Sequence, residues 1–235
     1  MPVALITGAS RGLGQALSLA LARRGWSLIV DARTGADLDL AAEELRDAGA
    51  HHVVAVTGSV ADAEHRARLT QAAHDAGRLD LLVNNASLLG PSPQPSLADY
   101  PLEVLDQVYR VNLFAPLALV QTLLAQLRAS SGRVINVTSD AAVEPYDGWG
   151  GYGSSKAALD QLTAILGAEE PDLRVYAFDP GDMRTAMHQE AFPGEDISDR
   201  PPPDTVVPAL LRLVDGDVPS GRHRGATLKA HEEVT

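Results

Sequence analysis

Short apolar runs alternate along this chain with longer stretches whose apolar positions recur every three or four residues. "VALIT" (3–7) is β-branched and runs straight into a Gly-rich turn. "GQALSLALARRG" (14–25) has helical periodicity and a Gly where a helix stops. The same alternation predicts strands at 27–32, 52–57, 79–86, 132–139 and 173–180. It predicts helices at 36–49, 61–77, 102–111, 112–129 and 152–168, with a short helix near 204–214 and a last strand, "RGATLKA", at 224–230. Strand–helix–strand units at this spacing imply an α/β fold built on one doubly wound parallel sheet with helices on both faces. The near-continuous apolar character of the strands agrees, because both sides of such a sheet are covered. No repeat, low-complexity tract or long linker divides the chain, so 1–235 reads as a single domain. Two Pro-rich stretches, 90–96 and 199–204, read as loops, since Pro removes amide donors and blocks helix interiors. The segment at about 182–204, rich in Pro, Gly and charge, reads as a mobile loop or lid over a pocket.

Composition narrows the chemistry. A chain of 235 residues with 45% hydrophobic and 21% charged positions is that of a globular protein. There is no cysteine, which excludes disulfides, thiolate nucleophiles and Cys-ligated metals. The formal net charge of −12 argues against a nucleic-acid partner. No apolar run reaches the ~20 residues of a membrane span, and "MPVALITGAS" does not read as a signal peptide, so a cytoplasmic location is expected. Of the seven histidines only His51 and His52 are adjacent, and no metal site is expected.

The turn "TGASRGLG" (7–14) joins the first strand to the first helix and spaces Gly8, Gly12 and Gly14 as G-x-x-x-G-x-G. Glycine lets backbone approach a ligand closely, and a helix start offers free N–H groups and the positive end of a dipole. A pyrophosphate fits that environment, held by Gly8, Ser10, Arg11, Gly12, Leu13 and Gly14.

With "NNA" (84–86), Ser139, "YGSSK" (152–156) and "PGDMRT" (180–185), the turn resembles the classical short-chain dehydrogenase/reductase family, from residue 3 to about residue 187. The resemblance implies a Rossmann-type domain, a nicotinamide dinucleotide cofactor and hydride exchange with a carbonyl or alcohol. It implies cofactor contacts from Asn85, Pro180, Gly181, Met183 and Thr185. Asp31 and Arg33 both stand near the end of the second strand. The family's NAD-selecting acid falls at Ala32 here, so Arg33 and Arg11 favour NADP(H) over NAD(H), by charge-assisted pairing with a 2′-phosphate. In the alternative, Asp31 binds the ribose and Arg33 is solvated. Two positions depart from the family pattern: Ser59 stands where Asp or Asn is usual, and Ser87 replaces the last Gly of N-N-A-G.

Tyr152 and Lys156 stand four apart, on one face of a helix. A nearby ammonium is expected to lower the phenol towards a useful acid/base range, and the small residues between them to leave room for ligands. The resemblance implies that Tyr152 exchanges the proton and that Lys156 also binds the nicotinamide ribose. It implies that Ser139 holds the substrate oxygen and Asn112 a water leading to Lys156. Asp140, Glu144, Tyr146 and Trp149 fall where the family lines its substrate pocket. A second function remains open at this stage, an NADP-binding regulatory or sensing protein without turnover. The resemblance further implies a homo-oligomer. The family's final Gly-Gly is missing from "ATLKAHEEVT", which favours a dimer through 104–129 and 152–168 over a tetramer.

Overall fold

Each apolar run becomes a strand because it is buried from both sides. In the computed structural model, which describes residues 1–230, the strands are β1 (Val3–Ile6), β2 (Ser27–Ala32), β3 (His52–Thr57), β4 (Leu81–Asn84), β5 (Arg133–Val137), β6 (Arg174–Asp179) and β7 (Gly221–Arg224). They form one parallel sheet in the order β3-β2-β1-β4-β5-β6-β7. The helices are α1 (Gly12–Ala22), α2 (Gly35–Asp47), α3 (Ala63–Asp75), α4 (Leu102–Tyr109), α5 (Ala115–Ser130), α6 (Gly150–Glu169), α7 (Ala186–Ala191), α8 (Val207–Asp215) and α9 (Gly225–Ala230). On one face Leu17, Leu21, Leu38, Leu45, Leu210 and Leu213 carry α1, α2 and α8 onto the sheet. On the other, Leu69, Leu119, Leu123 and Leu127 carry α3 and α5. Each fully buried leucine contributes roughly 2 kcal/mol of transfer free energy. The order of strands reverses between β1 and β4, and a crevice opens there beyond the carboxyl ends. The single α/β domain read from the sequence is thus the observed one.

Three elements differ from the pattern. The expected strand at 224–230 is instead the strand Gly221–Arg224 followed by helix α9. "GRHR" has no apolar residue to announce a strand, whereas four of the five residues of "ATLKA" are good helix formers. The expected helices 102–111 and 112–129 are one continuous rod, joined by a wider π-type turn at Arg110–Phe114. This rod, Leu102–Ser130, is long and apolar enough to cross a membrane by length and composition alone. Its inward side, with Val108, Leu113, Leu119, Leu123 and Leu127 buried, packs into the domain as a core helix. The end of "ATLKAHEEVT", residues 231–235, lies outside the described residues.

Candidate active site

The glycine turn is held from three sides. Thr7 Oγ1 accepts the Asn85 and Ala86 amides, each at 3.0 Å. Asn85 Nδ2 donates to Thr7 O at 2.8 Å and Gly8 O at 2.9 Å, so this expected cofactor ligand also braces the turn. From below, Asp31 Oδ1 accepts the Gly8 N–H at 2.6 Å. Gly14 sits so tightly that a Cβ there would lie 2.5 Å from Gly8 O and 2.6 Å from Asn85 Nδ2. It is therefore a packing residue behind the turn rather than a cleft-lining one. The first turn of α1 carries no acidic residue and no side-chain cap, which leaves its N–H groups to a ligand.

A cleft of about 850 Å³ runs from this turn across the ends of β4, β5 and β6. Gly8, Ser10, Arg11, Gly12, Leu13, Arg33, Asn85, Ser139, Tyr152, Lys156, Pro180, Gly181, Met183 and Thr185 all line it. Arg11 and Arg33 are exposed, and among the described residues neither forms an ion pair. Asp31 is different: it is 2% exposed, and its Oδ2 lies 2.8 Å from His65 Nε2. Arg68 stands 3.3 Å from His65 Nδ1, and a guanidinium only donates. Nδ1 therefore accepts, and Nε2–H donates to Asp31. Each carboxylate oxygen thus makes one bond within the fold, while Asp31 also lines the cleft.

At the other end, α6 begins in the loop after β5. Ser139 caps the short turn Asp140–Ala142, its Oγ accepting the Ala141 N–H at 3.2 Å and donating to Asp140 Oδ1 at 3.0 Å. Gly153 lets α6 press on that turn, since a Cβ would lie 2.6 Å from Ala141 O. Ser155 is buried and donates to Tyr152 O at 2.6 Å. Gly153 and Ser155 are thus small to let backbone pack and not to make room for a ligand, as the sequence suggested. Asn112 is buried with its amide saturated. Its Oδ1 accepts from Leu88 N at 2.8 Å and Ser87 Oγ at 3.1 Å, and its Nδ2 donates to Leu88 O and Ser155 Oγ, both at 2.9 Å. Four bonds fill an amide, so this side chain is a clasp between the loop after β4 and α6, and the expected water falls to the Asn112 backbone carbonyl and not to its side chain.

Lys156 Nζ lies 5.5 Å from the centre of the Tyr152 ring and donates to Val137 O at 2.8 Å. The shared face is as expected; the electrostatics are not. Burial pushes the Tyr152 phenol up to about 12, opposed by the Ser87 and Ser139 hydroxyls and assisted by the negative charges of Asp140 and Asp179. Burial pulls the Lys156 ammonium down to about 8, against the pull of Asp160. Desolvation acts on both groups and outweighs the lowering of the phenol expected from charge alone.

Sequence reasoning missed two supports. Arg222 on β7 donates to Asp160 Oδ2 at 2.9 Å, Ser139 O at 3.0 Å and Asp179 Oδ2 at 3.1 Å, tying the last strand to both catalytic-end loops. A polar edge strand gives no periodic signal. His65 was legible in part, because His65, Leu69 and Ala73 form one inward stripe at four-residue spacing on α3.

Comparison with known proteins agrees with this architecture. The family model for short chain dehydrogenase matches residues 2–196, and the chain belongs to that family of oxidoreductases. It is 31% identical over 242 residues to benzil reductase ((S)-benzoin forming) of Bacillus subtilis, covering 94% of this chain and 97% of that one. It is 38% identical over 169 residues to a short chain dehydrogenase of Penicillium thymicola, covering 69% of this chain and 61% of that relative. An alcohol dehydrogenase from the archaeon Thermococcus sibiricus, solved in complex with 5-hydroxy-NADP, superposes with a TM-score of 0.86 at 30% identity, covering 95% of each chain.

Proposed function

We propose that the protein is an NADP(H)-dependent carbonyl reductase or alcohol dehydrogenase acting on a small molecule. The observation that carries this reading is the convergence of Tyr152, Ser139 and Lys156 on the cleft that starts at the glycine turn. The turn fits a dinucleotide: it presents unpaired helix N–H groups, close backbone and no acidic residue in the first turn. Ser10, Gly12 and Leu13 would hold the pyrophosphate, and Met183 and Thr185 the nicotinamide end. NADP(H) is favoured over NAD(H) because Asp31 is already bonded to Gly8 and His65, while Arg11 and Arg33 at the same end form no ion pair among the described residues.

The bound nicotinamide supplies or takes the hydride. The chain's part is to hold the carbonyl oxygen and move a proton. Tyr152, protonated throughout the working range, gives its proton to that oxygen. Ser139 orients it. Lys156 stabilises negative charge growing on the phenol oxygen while it is protonated. Asn112 positions the loop after β4 against α6. The segment 182–204 closes over the cleft, its helix α7 tied to the first Pro-rich loop through Ser92 Oγ, which donates to Glu190 O at 2.6 Å. Tyr152→Phe is expected to lower kcat at least about a thousandfold with carbonyl substrates, with NADPH affinity by fluorescence titration within about threefold of wild type. Retained turnover would remove Tyr152 from its role.

The same reading extends to assembly as a homodimer. Leu102, Phe114 and Leu117 on α4–α5 and Ile165 on α6 are exposed apolar side chains on the two helices that the sequence nominated.

A further inference from the structure

The substrate class can be read from the cleft wall, on the basis that Tyr152 passes a proton to a carbonyl oxygen as above. The cleft divides by charge. Arg11, Arg23 and Arg33 line the end that would hold phosphates. The end beside the phenol is apolar and aromatic. Leu89, Ala141 and Tyr152 are buried as one cluster, with Trp149, Met187 and Ala191 packed on them. Trp149 meets Tyr152 edge-on, 5.9 Å between centroids at 74°. Behind it stand Phe192 at 5.9 Å and Tyr146 at 6.2 Å, so the indole is braced.

Among the polar groups of this wall, Asp140 stands beside Ser139 and Tyr152. Asp140 Oδ1 accepts from Ser139 Oγ at 3.0 Å and Ala141 N at 2.9 Å, and Oδ2 accepts from Tyr146 OH at 2.9 Å. Those bonds are all made to neutral donors, so the charge is not cancelled. Lys156 donates to Val137 O, and Arg184 turns its Nη1 to Ser198 O at 3.5 Å. Arg184 and His188 also line the cleft, on the segment that carries Met187, and His188 lies 4.9 Å from the Phe192 ring with its Nδ1 3.9 Å from Asp182 Oδ1.

We propose that the substrate is an uncharged ketone bearing an aromatic ring, which lies against Leu89, Trp149 and Met187, and that Asp140 turns away ketones bearing a carboxylate. In the reaction the carbonyl carbon gains a hydride from the reduced nicotinamide, the C=O π bond breaks, and its oxygen takes the Tyr152 proton. NADPH is oxidised to NADP⁺ and the ketone is reduced to a secondary alcohol. Ring packing against an aromatic wall and burial of a phenyl face both favour the aryl compound. A like charge close to the half-buried Asp140 opposes the carboxylate.

Three α-keto compounds probe these effects, with the change of each ratio on substitution removing their intrinsic differences in carbonyl reactivity: methyl pyruvate, methyl phenylglyoxylate and phenylglyoxylate. With NADPH, kcat/KM for methyl phenylglyoxylate is expected on the order of a hundredfold above methyl pyruvate. It is expected at least about tenfold above phenylglyoxylate. Trp149→Ala should cut the first ratio about tenfold, and Asp140→Asn should shrink the second. Calorimetric binding of methyl mandelate, the alcohol product, to the NADP⁺ complex should weaken in Trp149→Ala. Turnover of methyl pyruvate as fast as the aryl ester, or of phenylglyoxylate as fast as its ester, overturns this inference and leaves the hydride-transfer reading intact. No turnover of any of the three with NADPH bound overturns both.

Discussion

Lys156 is placed where its charge is expensive. With 2% of its surface exposed, its ammonium is held near 8 instead of the ordinary 10.5. Below about pH 8 folded and unfolded chains both carry the proton, and the penalty, about 3 kcal/mol, is present in full. Between about 8 and 10.5 the unfolded chain binds a proton that the folded one has released, so stability from this group rises with pH. Activity runs the other way. The pH profile of kcat/KM for ketone reduction should be flat on the acid side and fall about tenfold per unit above pH 8. Lys156→Met should remove most of the turnover yet raise the urea midpoint, because an apolar side chain replaces a desolvated cation. A lower midpoint in that variant would show that the bond to Val137 O outweighs the desolvation. Ser87 is a second residue whose role lies in its departure from the family pattern. The hydroxyl that replaces a hydrogen there reaches Asn112 and faces the phenol.

At the scale of elements, the buried pair Asp31–His65 joins the end of β2, the glycine turn and α3. Removing His65 leaves the buried Asp31 carboxylate without one of its donors. His65→Leu is therefore expected to cost about 2–4 kcal/mol by urea denaturation and to weaken NADPH binding, as Gly8 loses its fixed anchor. Unchanged affinity in a folded variant would separate the pair from the cofactor site. Most elements of this layer were legible from periodicity. The exceptions have physical causes. The π-type turn at Arg110–Phe114 keeps helical spacing on either side and so cannot be seen as a break, only guessed as two helices. Strand β7 is polar because its side chains serve ion pairs, Arg222 with Asp160 and Asp179.

For the whole molecule, the exposed apolar side chains of α4–α5 and α6 stand on a chain of net charge −12. Light scattering coupled to gel filtration should give about twice the 24.8 kDa chain mass. Phe114→Asp combined with Leu117→Asp should shift the protein towards that single mass, since each charge would have to be desolvated at the interface. A monomer in wild-type protein at micromolar concentration would refute the assembly.

The sequence by itself determined the parallel sheet, the strand that ends in a phosphate turn, and the order of Ser139, Tyr152 and Lys156 behind it. These are local facts, carried by period, glycine spacing and a four-residue step on one helix. Only the tertiary structure decided what each polar group is free to do. Asp31, a candidate ribose ligand in the sequence, bonds Gly8 and His65; the side-chain amide of Asn112, a candidate water holder, is filled by Leu88, Ser87 and Ser155. The phenol and the ammonium are both pushed towards neutrality by burial. A side chain's availability depends on partners tens of residues away and on how much water the fold removes, and neither quantity is written in the spacing of residues along the chain.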